Sequence, residues 1–117
     1  MKEIKAYIRC KVAQDVLDAL RKSGVENATL THILAVGANI DHKYSKLNME
    51  FGREVDKMIK LELICNDDEE SSLVEIIRAN SHSGHSGDGI ISVSALERTI
   101  KIKTGEEGTD KLCLLKT

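Results

Sequence analysis

Three features of the sequence predict an α+β fold in which two helices cover one face of an antiparallel sheet. Runs with the period of a strand and runs with the period of a helix alternate twice, in passes of similar size. The strand runs set apolar against polar residues, so one sheet face is buried and the other is free to pack on further subunits. The second pass ends in Gly87-Asp88-Gly89, two glycines flanking an acid immediately before another strand run.

Ile4, Ala6 and Ile8 alternate with Lys5, Tyr7 and Arg9, the period of a half-buried strand. Val12, Val16, Leu17 and Leu20 then recur at helical spacing. Arg21 and Lys22 fill the last turn, and Gly24 is placed to adopt a left-handed C-terminal cap. From Asn27 to Val36 the chain is β-branched and aliphatic, which predicts a second strand with His32 as an ordinary strand residue. Residues 37–57 are polar, carry both signs of charge and hold no sustained period. They predict a long loop, with an additional hairpin as the alternative. Met58 to Cys65 alternates again as a third strand. Asn66 to Ser72 offers N-caps and acids that suit a helix start, and Leu73, Val74, Ile76, Ile77 and Ala79 give that helix an apolar face. NSHSGHSGDG, residues 80–89, reads as a loop of small residues, and Ile90 to Val93 and Thr99 to Gly105 read as closing strands. Two strand-helix-strand passes in one chain predict a split β-α-β, ferredoxin-like sandwich over residues 1–108, followed by a tail at 109–117.

Composition narrows the function. The chain has 117 residues, enough for one domain. A domain of that size buries roughly two thirds of its unfolded surface. With one Phe, two Tyr and no Trp, its core is aliphatic, and oligomerisation is a natural way to complete it. A net charge of −2 provides no general attraction to nucleic acid or to an acidic membrane. Cys10, Cys65 and Cys113 form no CxxC pair, the N-terminus has no signal-peptide core, and no apolar run is long enough to span a bilayer. A reduced, cytoplasmic protein without membrane insertion is expected. No nucleophile-base-orienter set or Walker motif is present, and the Gly-x-Gly precedes a strand, which argues against an enzyme and against a redox dinucleotide site.

A turn whose glycines let backbone N–H groups approach a ligand, followed by Lys101 and Lys103 on one face of a run, is suited to phosphate. His82 and His85, with Asp88, Asp41 or His42 nearby, supply the metal alternative.

The run GDGIISVSALERTIKIKTGEEG, residues 87–108, resembles the closing signature of the PII signal-transduction proteins. The resemblance extends without gaps over residues 1–108, through MKEIKAYIR, Gly24, Thr29, Gly37, His42 and Glu62. It implies a homotrimer that binds an adenine nucleotide (ADP, AMP or ATP, with magnesium as an accessory) in clefts between subunits. Thr29, Gly37, Ala38, Glu62, Ile64, Gly87, Asp88 and Gly89 would surround the nucleotide, and Lys101 and Lys103 would come from the neighbour. The segment 37–57, with Asn39, His42, Tyr44 and Phe51, corresponds to the family's T-loop, which reaches a transporter or an enzyme in nitrogen regulation. The structurally similar CutA-type trimers imply the alternative, a metal-responsive trimer with a vestigial nucleotide cleft.

Several positions depart from the family pattern. Lys101 and Lys103 replace arginines, Ala38 replaces an arginine and Ile90 replaces a lysine. Two cations near the polyphosphate are therefore missing, and the remaining two cannot form a bidentate fork. A preference for ADP or AMP over ATP is the expectation. Asn39 and Met58 stand where the family holds 2-oxoglutarate with a glutamine and a lysine, and Phe51 lacks the hydroxyl that typical bacterial members modify.

Overall fold

A computed structural model of the chain describes residues 1–36, 45–48 and 53–108. The order of elements is β1 (Lys2–Arg9), a 3-10 turn (Cys10–Val12), α1 (Ala13–Lys22), β2 (Thr29–Ala35), β3 (Ser45–Asn48), β4 (Arg53–Cys65), a second 3-10 turn (Asp67–Glu69), α2 (Glu70–Ser81) and β5 (Gly89–Ala95). The sheet runs β2-β4-β1-β5, and β3 pairs with the outer part of β4. Every pairing is antiparallel. This is the ferredoxin-like split β-α-β sandwich that the alternation predicts.

Register explains which residues fill the core. Ile4, Ala6 and Ile8 of β1 lie opposite Leu63, Leu61 and Ile59 of β4, so one face of the two central strands is continuously aliphatic. Val16 and Leu20 of α1 and Leu73 and Ile77 of α2 close over that face, and all ten residues are at most 8 % exposed. Spacings of four place each helical pair on a single stripe. Cys65 belongs to the same cluster. Burial, reinforced by the Glu69 and Glu70 carboxylates, pushes its thiol up to about 11, so it packs as a small hydrophobe and is not a nucleophile.

The helix boundaries follow local chemistry. Gly24 adopts φ +103° and donates its N–H to the Arg21 carbonyl at 3.0 Å, while Val25 N–H reaches the Leu20 carbonyl at 3.0 Å, the left-handed closure expected of this glycine. Ahead of α2, the Asn66 N–H donates to Glu69 Oε1 at 3.1 Å, which satisfies a donor that the helix start leaves open.

Two sequence expectations are corrected. The loop reading of residues 37–57 gives way to the hairpin in the described part, because β4 begins at Arg53 and Ser45–Asn48 returns along it in the register Ser45↔Asp56 to Asn48↔Arg53. The hairpin lies off the main β2-β4-β1-β5 path of the sheet. Its first strand is only four residues long, Ser45–Asn48, too short for a period of two to stand out in the sequence. The closing strand expected at Thr99 to Gly105 is absent. Ile100 makes one isolated bridge to Glu107, and the chain folds back through bonds from Lys101 N–H to the Glu106 carbonyl (2.9 Å) and from Gly105 N–H to the Lys101 carbonyl (2.7 Å). A strand needs a neighbouring strand, and the described residues offer none here; Ile102 is fully exposed.

Candidate functional site

The Gly87-Asp88-Gly89 turn stands where the chain leaves α2 and enters β5, at the end of the sheet marked by the Ile8↔Gly89 pair. Gly87 and Gly89 have φ +86° and +113°, a region that residues with a Cβ avoid. Gly89 is also fixed by contact, since a Cβ there would lie 1.7 Å from the Tyr7 carbonyl oxygen. The glycines are thus needed twice, for the turn and for the close approach of β5 to β1.

Asp88 folds the loop around itself. Its carboxylate accepts from the backbone N–H groups of Ser83 (2.8 Å) and Gly84 (3.0 Å) and from the Ser83 hydroxyl. Arg9 Nη1 lies 3.4 Å from Asp88 Oδ1. Partial burial opposes ionisation. The Ser83 hydroxyl, the two N–H donors and the Arg9 charge outweigh it, holding the carboxyl below its usual range. A depressed value stabilises the fold above the unfolded-state carboxyl pKa, about 3.9, and that contribution is lost as pH falls through the lower folded-state value. Melting temperatures of the wild type and of Asp88→Asn, followed from about pH 6 to pH 2, are therefore expected to differ at the top of the range and converge at the bottom. A constant gap would show that the carboxylate charge is not what holds the loop.

Beside the turn, a groove of about 440 Å³ runs between α2 and β5, lined in part by Val74, Arg78, His82, Asp88, Ile90 and Ile91. Ile90, directly after the turn, is 65 % exposed, so an apolar side chain stands in the open beside backbone suited to an anion.

The other residues singled out in the sequence fall into separate groups. Thr29 is paired in register with Glu62, and Ile64 lies two residues further along the same face of β4. Glu62 itself forms an ion pair with Lys60 at 3.2 Å. This group lies toward the β2 edge, with β1 between it and β5. Lys101 and Lys103 lie beyond the far end of β5, where Leu96 N–H reaches the Met1 carbonyl at 3.1 Å. The six residue steps from Gly89 to Ala95 put about 20 Å of strand between them and the turn. A single chain therefore does not gather the glycine turn, the Thr29–Glu62–Ile64 face and the two lysines around one small ligand. Gly37, Ala38, Asn39, His42, Tyr44, Phe51 and Cys113 lie outside the described residues. His82 Nδ1 comes within 3.7 Å of Asp88, but no three potential ligands among the described residues gather as a metal site.

Arg9 is the residue that sequence reasoning missed. Alternation placed it with Lys5 and Tyr7 on a polar face, yet it is 3 % exposed and bound to a loop 78 positions away. Its only local signal was a cation at the last position of a strand.

A ferredoxin-like sandwich with a glycine turn at one sheet end and its remaining candidate residues distributed over other edges defines a small α+β domain. The family model "Nitrogen regulatory protein P-II" matches residues 1–106. The chain is 32 % identical over 110 residues to the "Nitrogen regulatory protein P-II" of Mesorhizobium japonicum, covering 94 % of this chain and 98 % of that protein. It is 31 % identical over 108 residues to "Nitrogen regulatory protein P-II 2" of Methanothermobacter thermautotrophicus, covering 92 % and 94 %. It is also 31 % identical over 112 residues to the protein of the same family name from Rhizobium meliloti, covering 96 % and 100 %. The chain belongs to the P-II family.

Proposed function

We propose that this protein is a cytoplasmic P-II-type regulator in nitrogen control, not an enzyme, which assembles as a homotrimer and binds an adenine nucleotide where subunits meet. The carrying observation is the separation of the site residues. The glycine turn lies at one end of β5, and Lys101 and Lys103 follow its other end, which supports a phosphate-bearing ligand that meets both between two copies. Trimerisation would also cover Ile100 and Ile102, which are 51 % and 100 % exposed. The Thr29–Glu62–Ile64 face, on which Glu62 already pairs with Lys60, is the third contributor. Segment 37–57, whose described part is the β3–β4 hairpin, would report occupancy to a transporter or an enzyme. The coupling is reciprocal, so that partner should alter nucleotide affinity.

Ile90 supports the preference for ADP or AMP. Its exposed butyl group occupies the exit of the turn, where a γ-phosphate would need a cation, and lysine point charges give no bidentate grip. Calorimetric titration with AMP, ADP and ATP tests the reading. ADP or AMP should bind at least as tightly as ATP, and Ile90→Lys should improve ATP by about tenfold through one charge-assisted contact. Tight ATP binding with far weaker AMP binding would overturn the preference, and no saturable binding of any nucleotide would overturn the reading itself.

A further inference from the structure

We infer that Arg9 is the positioning residue of the glycine turn: it sets the Gly87 N–H for an anion that its own side chain does not touch. The identity of that anion as a nucleotide phosphate rests on the reading above, whereas the positioning rests on the geometry of this chain.

Arg9 ends β1 and is 3 % exposed. Its guanidinium donates to the Ser86 carbonyl, to the Gly87 carbonyl at 3.2 Å and to Ser83 Oγ at 3.3 Å, and it pairs with Asp88 at 3.4 Å. One side chain thus ties four residues of the loop, Ser83, Ser86, Gly87 and Asp88, to the end of a central strand. Guanidinium suits this task because its donors form a rigid fork, whereas a lysine ammonium is a point donor that cannot reach acceptors spread in this way.

The consequence for the turn follows from peptide geometry. A trans peptide is planar, with the N–H of each residue directed opposite to the carbonyl of the residue before it. With the Ser86 carbonyl held on Arg9, the Gly87 N–H is turned to the other side of the loop, where it has no acceptor among the described residues. Gly87 and Gly89 carry no side chain of their own that would shield the donor. Charge points the same way. An unpaired Asp88 carboxylate inside the turn would repel an anion, but here it is neutralised by Arg9 and occupied by the Ser83 and Gly84 N–H groups.

The test uses the full chain, with amide exchange at Ser83 and Gly84 read by NMR and ADP affinity read by calorimetry on the same preparations. Arg9→Gln should speed exchange at both amides by about tenfold or more and weaken ADP by about tenfold, the scale of losing hydrogen bonds to a charged group. Arg9→Lys should recover part of each effect, because it restores charge without the fork. Ser83→Ala, at an exposed position that leaves the core intact, should move both readouts the same way by less. Should Arg9→Gln not fold, Arg9→Lys and Ser83→Ala carry the test. Folded variants with unchanged exchange, or with faster exchange and unchanged ADP affinity, would overturn the positioning role. If the wild type binds none of AMP, ADP and ATP, the nucleotide reading fails, and inorganic pyrophosphate titrated into wild type and variants then decides whether Arg9 sets the turn for an anion.

Discussion

Gly89→Ala is expected to destabilise the fold by about 3–5 kcal/mol and to lower the melting temperature by roughly 15 °C or more. Two costs combine. At φ +113° a residue with a Cβ pays on the order of 1–2 kcal/mol before any contact is considered. The added carbon would then lie 1.7 Å from the Tyr7 oxygen and 2.9 Å from its carbonyl carbon, backbone atoms of the strand that pairs with β5, with no flexible side chain to move aside. Relief requires β5 to withdraw from β1 at the point where the candidate turn is anchored. Gly24→Ala is the matching control, since its φ is +103° but nothing lies within 4 Å of the new Cβ. It should lose only about 1–2 kcal/mol. Paired thermal melts check both values, and equal losses at the two positions would show that the clash with Tyr7 is relieved at little cost.

The comparison of these glycines also shows what a sequence can convey. Gly24 was legible because everything that demands it is local: the end of an apolar stripe, two basic residues and a helix to close. The central strands were legible because β1 and β4 each bury one face, which imprints a period of two on the sequence. The four residues of β3, Ser45–Asn48, are too few to imprint such a period. The run from Thr99 to Gly105 has the alternation of a strand but, among the described residues, only the single Ile100–Glu107 bridge, and pattern records only the willingness to pair. Of the candidate site, the turn itself was readable from its glycines. Its anchors were not. Tyr7 and Arg9 act on it across about eighty positions of sequence, and no local rule marks a strand-end arginine as buried.

The second large effect lies one step behind the loop. Ile77→Ala is expected to destabilise the fold by about 3 kcal/mol, within the usual range for deleting a fully buried aliphatic side chain. That amounts to roughly 12–20 °C in melting temperature for a domain of this size. Ile77 is 0 % exposed and, with Leu73, holds the inner stripe of α2 on the sheet. Its carbonyl also accepts from the Ser81 hydroxyl in the last turn of α2, immediately before the segment that Asp88 and Arg9 organise. The position therefore bears on where the loop starts, but not on how its peptides are turned. At a temperature where the variant remains folded, its ADP affinity should stay within about threefold of the wild type, well short of the loss expected from Arg9→Gln. Chemical denaturation should show a lower midpoint with an unchanged slope, because the surface exposed on unfolding hardly changes. A midpoint near that of the wild type would mean that the core collapses into the vacated volume. A loss of affinity as large as that of the Arg9 variants would mean that α2 and the turn form one rigid unit, and that positioning is shared between the strand and the helix.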